Sequence, residues 1–287
     1  MNKKLLRPAA AIAIACCTLL AALPEARGAD AAPAPTPTWT ATANVNLVTD
    51  YRFRGIDQTW GKPAVQGGAD LVHASGAYAG IWASNVSGNS YPGGSLELDT
   101  YFGYNGKIND DFSFTVGGYG YWYPGANVDK AACGSAAYPA PCSLPSQSFD
   151  TFEVNAGVTW KWLSYKLSVS TGDYFGANTK TGYSGNTHGT LYHDVTATVP
   201  LADDWTVAGH VGRTDVKGTY GTINPDYTDW RLSVAKTFTG GWNASLAVVG
   251  ATNSTFYAPP TGGLSAANGD TRTLNKTTAI LQVGRTF

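Results

Sequence analysis

The sequence predicts an all-β protein, a transmembrane antiparallel up-and-down β-barrel of about 12 strands. Three observations lead there. Segments of alternating apolar and polar residues recur from Trp39 onward, the connections between them alternate short and long, and the composition is poor in charge without holding a long apolar run beyond the N-terminus. Charged residues make up 14% of the chain, against about 25% in soluble domains. The 34 glycines, 16 tyrosines and 9 tryptophans stand beside a single methionine. A membrane protein with no helical span must close its backbone hydrogen bonds in a barrel.

The N-terminus reads as an export signal. Met1-Asn2-Lys3-Lys4-Leu5-Leu6-Arg7 is basic, Pro8 to Leu23 is apolar, and Ala26-Arg27-Gly28 places small residues where a signal peptidase cuts. The apolar run is short for a spanning helix, which needs about 20 residues. A lipoprotein signal ending at Cys16 or Cys17 is the alternative, but Thr18-Leu19-Leu20 carries the apolar run past both cysteines. The expected organisation is a signal peptide over residues 1–28, a Pro/Ala-rich linker over 29–38 and a barrel over 39–287. Cleavage would remove four bases and one acid, taking the formal charge from −1 to −4. A mildly acidic product argues against nucleic acid as a partner.

The first strand shows the pattern. Trp39, Ala41, Ala43, Val45, Leu47, Thr49, Tyr51 and Phe53 form one face, and Thr40, Thr42, Asn44, Asn46, Val48, Asp50, Arg52 and Arg54 the other. Period two with one apolar face is a strand, and in a membrane barrel the polar face lines the lumen. A soluble sandwich strand would look the same in isolation. Similar segments start near Pro63, Ala77, Ser95, Phe112, Phe149, Ser164, Leu191, Trp205, Tyr227, Trp242 and Thr273. Those near Ala77 and Phe112 carry aromatics on both faces, so their facing stays open.

The connections separate the barrel from the sandwich. His73–Gly76, Lys107–Asp111, Lys161–Leu163, Leu201–Asp204 and Thr239–Gly241 are short. Between them lie Gly55–Lys62, Ser87–Gly94, Pro124–Ser148, Gly172–Gly189, Asp215–Asp226 and Asn253–Arg272. Short periplasmic turns and long extracellular loops are the rule in bacterial outer-membrane barrels. Aromatics sort accordingly. Trp39, Trp160, Trp205 and Trp242 lie by short turns, while Tyr51, Phe53, Trp82, Trp122 and Trp230 lie toward long loops, as two interfacial belts would require. The terminal Phe287 closes an alternating strand and resembles the signature that the barrel-assembly machinery engages. These features place the chain in the outer membrane of a Gram-negative bacterium, with membrane lipid and that machinery as partners.

The segment Asn44-Val45-Asn46-Leu47-Val48-Thr49-Asp50-Tyr51-Arg52-Phe53-Arg54-Gly55-Ile56-Asp57-Gln58-Thr59 resembles the opening of the TorF family of porin-like proteins. Pro63 to Asp70, Gly80 to Val86, Ser95 to Asp99 and Tyr101 to Tyr104 are similar to its following strands. The likeness is dense from Asn44 to Pro124. It implies an outer-membrane porin-like barrel and names no solute.

On this facing, Asp50, Arg52, Arg54, Asp70, Glu97, Asp99, Glu153, Lys166 and Arg231 point into the lumen. Opposed charged walls would orient polar solutes and set ion preference; the plainer alternative is that the charges pair to fill a narrow lumen. Cys133 and Cys142, in a Gly/Ala/Pro-rich loop, read as a disulfide in an oxidising compartment. Two thiols without His or Cys neighbours make a poor zinc cage. No metal or other cofactor is expected.

Two other functions remain as alternatives. An outer-membrane lipid hydrolase needs a nucleophile beside a base. Of the histidines, His73 sits by a turn, His188 lies in a loop, His210 faces the lumen, and His193 faces lipid with no Ser two residues away on its face. A plugged structural or adhesin barrel would act through its loops. The leading expectation is passive diffusion of small polar solutes or ions through the barrel.

Overall fold

The computed structural model describes residues 38–135 and 137–287. The expected signal peptide, 1–28, and all but the last residue of the linker 29–38 lie outside the described residues. Alternating sequence becomes twelve antiparallel strands: β1 Trp39–Val48, β2 Ala64–His73, β3 Ala77–Asn85, β4 Leu96–Lys107, β5 Phe112–Trp122, β6 Thr151–Trp160, β7 Leu163–Ser170, β8 Leu191–Pro200, β9 Trp205–Asp215, β10 Tyr227–Thr237, β11 Trp242–Ala251 and β12 Thr278–Thr286. Each pairs with its neighbour in sequence, and β1 pairs with β12, closing an up-and-down barrel. Closure runs from Val48 opposite Gln282 to Asn44 opposite Thr286, and continues to Phe287, whose N–H donates to the Ala43 carbonyl at 2.8 Å. A closed ladder leaves no edge strand to be satisfied elsewhere.

The two ends of the barrel differ. Turns such as Lys161-Trp162 and Leu201–Asp204 link strands at one end, and connections as long as residues 123–150 and 252–277 emerge at the other. The outer face is apolar and bare. Phe102 and Leu232 in mid-strand and Leu47 near the end of β1 are 57–58% exposed, a band suited to hydrocarbon and costly in water. The inward face is polar over most of its height.

Facing is now settled for the two strands left open. In β5, Phe112, Phe114 and Trp122 point outward and Tyr119 and Tyr121 inward. In β3, Tyr78 and Trp82 point inward. Phenols turn inward because a hydroxyl needs a hydrogen-bond partner that lipid lacks: Tyr101 donates to Asp70 at 2.6 Å, and Tyr119 to Asp99 at 2.9 Å.

Three expectations change. Trp82 is buried inside the barrel against Tyr51, with ring centroids 5.4 Å apart, and is not in the outer belt. The last strand begins at Thr278 rather than near Thr273. Above all, β1 stops at Val48 although its alternation continues to Arg54. Val48 pairs with Ala64, and the next partner on β2 would be Pro63, which has no N–H to offer a ladder. The chain leaves the wall there and folds inward.

Candidate functional site

The departing segment forms a hairpin inside the barrel. Two-residue strands, Arg52–Phe53 and Ile56–Asp57, pair around an Arg54-Gly55 turn. Both turn residues have positive φ, 47° and 79°, as a primed two-residue turn requires. A Cβ on Gly55 would lie 2.8 Å from the Asp229 Cβ and 2.9 Å from the Gly250 carbonyl. The turn therefore sits directly against the wall made by β10 and β11.

From that position Arg54 reaches across the lumen. Its guanidinium binds Glu153 on β6 with both nitrogens, at 2.9 and 2.7 Å, and the Tyr174 hydroxyl at 3.1 Å. The Tyr192 ring lies 3.8 Å beneath it. β6 is five strands from β1 around the barrel, so the hairpin and this pair together tie β1 to a strand on the far side. Arg52 turns back to Asp50 at 2.7 Å, to Asp57 at 3.6 Å and to the Leu274 carbonyl at 2.6 Å. Arg272, from the last long loop, also binds Asp57. Arg52 and Arg54 thus do not share one face of a wall strand. They hold the two limbs of an inserted hairpin.

Tyr51 and Phe53, expected among the lipid-facing aromatics, are corrected with it. Tyr51 is buried against Trp82, and Phe53 packs against Tyr121 at 5.2 Å and Phe175 at 5.6 Å. Trp39, Trp160, Trp205 and Trp242 stand on the outer face at the short-turn end, 41–53% exposed. Trp230 faces outward in β10, half-buried.

The remaining acids lie on the inward face around the hairpin, cut off from water. Glu97, Asp99 and Glu153 are 0%, 1% and 2% exposed. The hydroxyls of Tyr51 and Tyr123 face Glu97, and Tyr121 donates to Glu153 at 3.3 Å. Asp70 is half-buried under Tyr101. Lys166 stands opposite Asp194 in the β7–β8 register and Arg231 opposite His210 in the β9–β10 register. Both are mid-strand and partly open. Toward the short-turn end, Thr42, Asn105, Thr115, Asn155, Ser164 and Ser233 line an inward face that water reaches.

Several participants were not anticipated. Asp57, Arg272, Tyr174 and Phe175 come from long connections, where alternation carries no information. His210, expected only to face the lumen, sits between two carboxylates, 3.2 Å from Asp194 and 2.9 Å from Asp229. Cys133 and Cys142 are joined in the longest loop, with Cα atoms 5.8 Å apart. Among the described residues, no cluster of three or more His, Cys, Asp or Glu is arranged to hold a metal.

A family described as a bacterial protein of unknown function (Gcw_chp) matches residues 31–287. The chain belongs to this family. The match carries that description and not the TorF name that the opening strand resembles. No curated protein matches the sequence. Among solved structures, the KdgM porin is similar over 86% of this chain and 98% of its own, at 9% identity and a TM-score of 0.47. The NanC porin is similar over 86% and 99%, at 10% identity and 0.48. An outer membrane channel from Pseudomonas putida F1 is similar over 90% and 100%, at 12% identity and 0.45. At such identities and scores these likenesses decide nothing about the function of this barrel.

Proposed function

We propose that this protein is an outer-membrane channel for passive diffusion of small polar solutes or ions, closed down near its long-loop end by the inserted hairpin. One observation carries the reading: a closed barrel with a bare apolar exterior encloses a polar, water-reached inner face through its short-turn half. A structural barrel has no need of an aqueous interior. In this reading membrane hydrocarbon surrounds the apolar band, the short turns face the periplasm, and Phe287 closes the strand that the assembly machinery engages.

The burial of Glu97, Asp99 and Glu153 behind the hairpin favours a second reading, a barrel permanently plugged at its outer end. Planar-bilayer recording separates the two. Purified, heat-modifiable protein should give discrete conductance steps. Properly folded protein that never conducts would remove the channel and leave the plugged barrel. Fractionation supplies the companion check, since recovery as a soluble periplasmic protein would contradict both.

A further inference from the structure

Above the hairpin, the long loops enclose a cavity of about 580 Å³, within the range of about 300–1,000 Å³ typical of small-ligand pockets. Its floor is the hairpin itself, through Phe53, Ile56 and Gln58. Two groups of packed aromatic rings line it. One groups Tyr183, Tyr220, Phe256 and Tyr257, with centroid separations of 4.7 to 6.4 Å. The other groups Tyr91, Phe149, Tyr174 and Phe175, where Tyr91 and Phe149 lie 5.4 Å apart and Tyr174 and Phe175 4.7 Å. The disulfide loop closes a third side with Tyr138 and Leu144.

The polar lining is mostly hydroxyl, from seven tyrosines, Ser143 and Thr181, and its charge is one-signed. Among the described residues no Asp or Glu lines the cavity, and Lys180 is the single charged residue in the lining. Lys180 is exposed and makes no ion pair among the described residues. Burial raises the Tyr183 and Tyr257 hydroxyls above their ordinary range, so these phenols stay neutral. Gln58, the one side-chain amide in the lining, is already engaged by the Tyr91 hydroxyl and the Ile56 carbonyl.

We infer that this cavity binds a planar aromatic compound carrying one negative charge, such as an aromatic monocarboxylate. A flat ring packs against such aromatic groups through edge and offset contacts, which add to apolar burial. A sugar would need several free carboxylates or amides, and the lining holds none. An organic cation would meet the ring faces but also the positive Lys180. As a statement about the solute of the channel, the inference rests on the pore reading; as a statement about binding, it does not.

Calorimetric titration of the full chain in detergent micelles, blanked against empty micelles, tests it. Sodium benzoate should bind saturably. Cyclohexanecarboxylate, with the same charge but no flat ring, should bind about tenfold more weakly, since the aromatic contacts are lost. Benzyl alcohol, which keeps the ring and lacks the charge, should bind about fivefold more weakly than benzoate. Phe256→Ala should weaken benzoate about tenfold. Lys180→Gln, at an exposed position that does not threaten folding, should weaken benzoate about fivefold and remove its advantage over benzyl alcohol. Absence of saturable benzoate binding, tighter binding of choline than of benzoate, or full benzoate affinity in both variants would each overturn the assignment. Benzoate binding by a protein that never conducts would sink the pore and leave this site standing. Conductance without benzoate binding would do the reverse.

Discussion

If the barrel is the channel proposed above, replacing Glu153 with Gln should open it without unfolding the barrel. Glu153 is 2% exposed and takes both guanidinium nitrogens of Arg54 at 2.9 and 2.7 Å. Removing one partner of such a pair leaves a buried charge uncompensated, at about 3–5 kcal/mol. The Tyr192 ring and Tyr174 hydroxyl continue to hold Arg54 but do not neutralise it. Withdrawal of the hairpin returns the guanidinium to water, so the variant favours the withdrawn state. Each 1.4 kcal/mol is about tenfold in an equilibrium, so the shift amounts to roughly two to three and a half powers of ten. Single-channel recording should show a larger open fraction or a larger conductance step than the parent. Heat-modifiability should be retained, because the strand ladder is untouched. An apolar pair in the same place, Arg54→Met with Glu153→Leu, removes both charges together and should restore the closed behaviour. A folded Glu153→Gln protein with the parent's conductance and open fraction would refute the idea that the cross-lumen pair governs the lumen.

Three further outcomes bear on other parts of the structure. Gly55→Ala puts a methyl group 2.8 Å from the Asp229 Cβ at a positive φ, which costs about 1–3 kcal/mol in overpacking alone; it should raise conductance as Glu153→Gln does, and unchanged recordings would place the turn elsewhere. Leu232→Arg, on the bare outer face in mid-strand, should destabilise the barrel in vesicles by about 2–4 kcal/mol in a denaturant titration, whereas an effect within about 0.5 kcal/mol would mean that this face does not meet hydrocarbon. Alkylation of denatured, unreduced chain lacking residues 1–28 should find no free thiol at Cys133 or Cys142; reduction should leave heat-modifiability intact and weaken benzoate binding, because this loop forms one side of the cavity.

The wall of the barrel was legible in the sequence because a strand between lipid and lumen must alternate, and Trp39, Phe112, Leu191, Trp205, Tyr227 and Trp242 were each placed at the strand start the structure shows. The inserted hairpin was not. Residues Thr49 to Arg54 go on alternating after the wall has ended, so period two alone extended β1 too far and sent Tyr51 and Phe53 to the lipid face. The warning was present in Pro63, which cannot donate to the ladder opposite Thr49, and in Arg54-Gly55, a turn pair embedded in apparent strand. For Glu97, Asp99 and Glu153, alternation and the cost of charge in lipid were enough to send them inward; Arg52 and Arg54 lie inside because the hairpin carries them there, not because they continue the alternation of β1. Which acid meets which base was out of reach, because Arg54 and Glu153 are joined across the barrel and Asp57 meets Arg272 from the far end of the chain. The loop cavity was equally hidden, since its aromatics come from six separate connections that only the closed barrel brings to one place.

The plug lies at the long-loop end because of chain length. A lumen can be filled only by residues not committed to the wall, and at the short-turn end connections such as Lys161-Trp162 and Leu201–Asp204 have no chain to spare. At the other end, the segment between Val48 and Ala64 is long enough to enter and return, and a narrow barrel needs only the six residues from Arg52 to Asp57 to be crossed. Opening and selectivity then belong to different residues. On the channel reading, the hairpin and its partners Glu153 and Arg272 govern whether the path exists. Lys166, Arg231 and His210 lie on the mid-barrel wall, where on the same reading they would act on an ion already inside. Neutralising Arg52 or Arg54 therefore changes the gate first, and any change in reversal potential has to be measured in a background where the hairpin is already released.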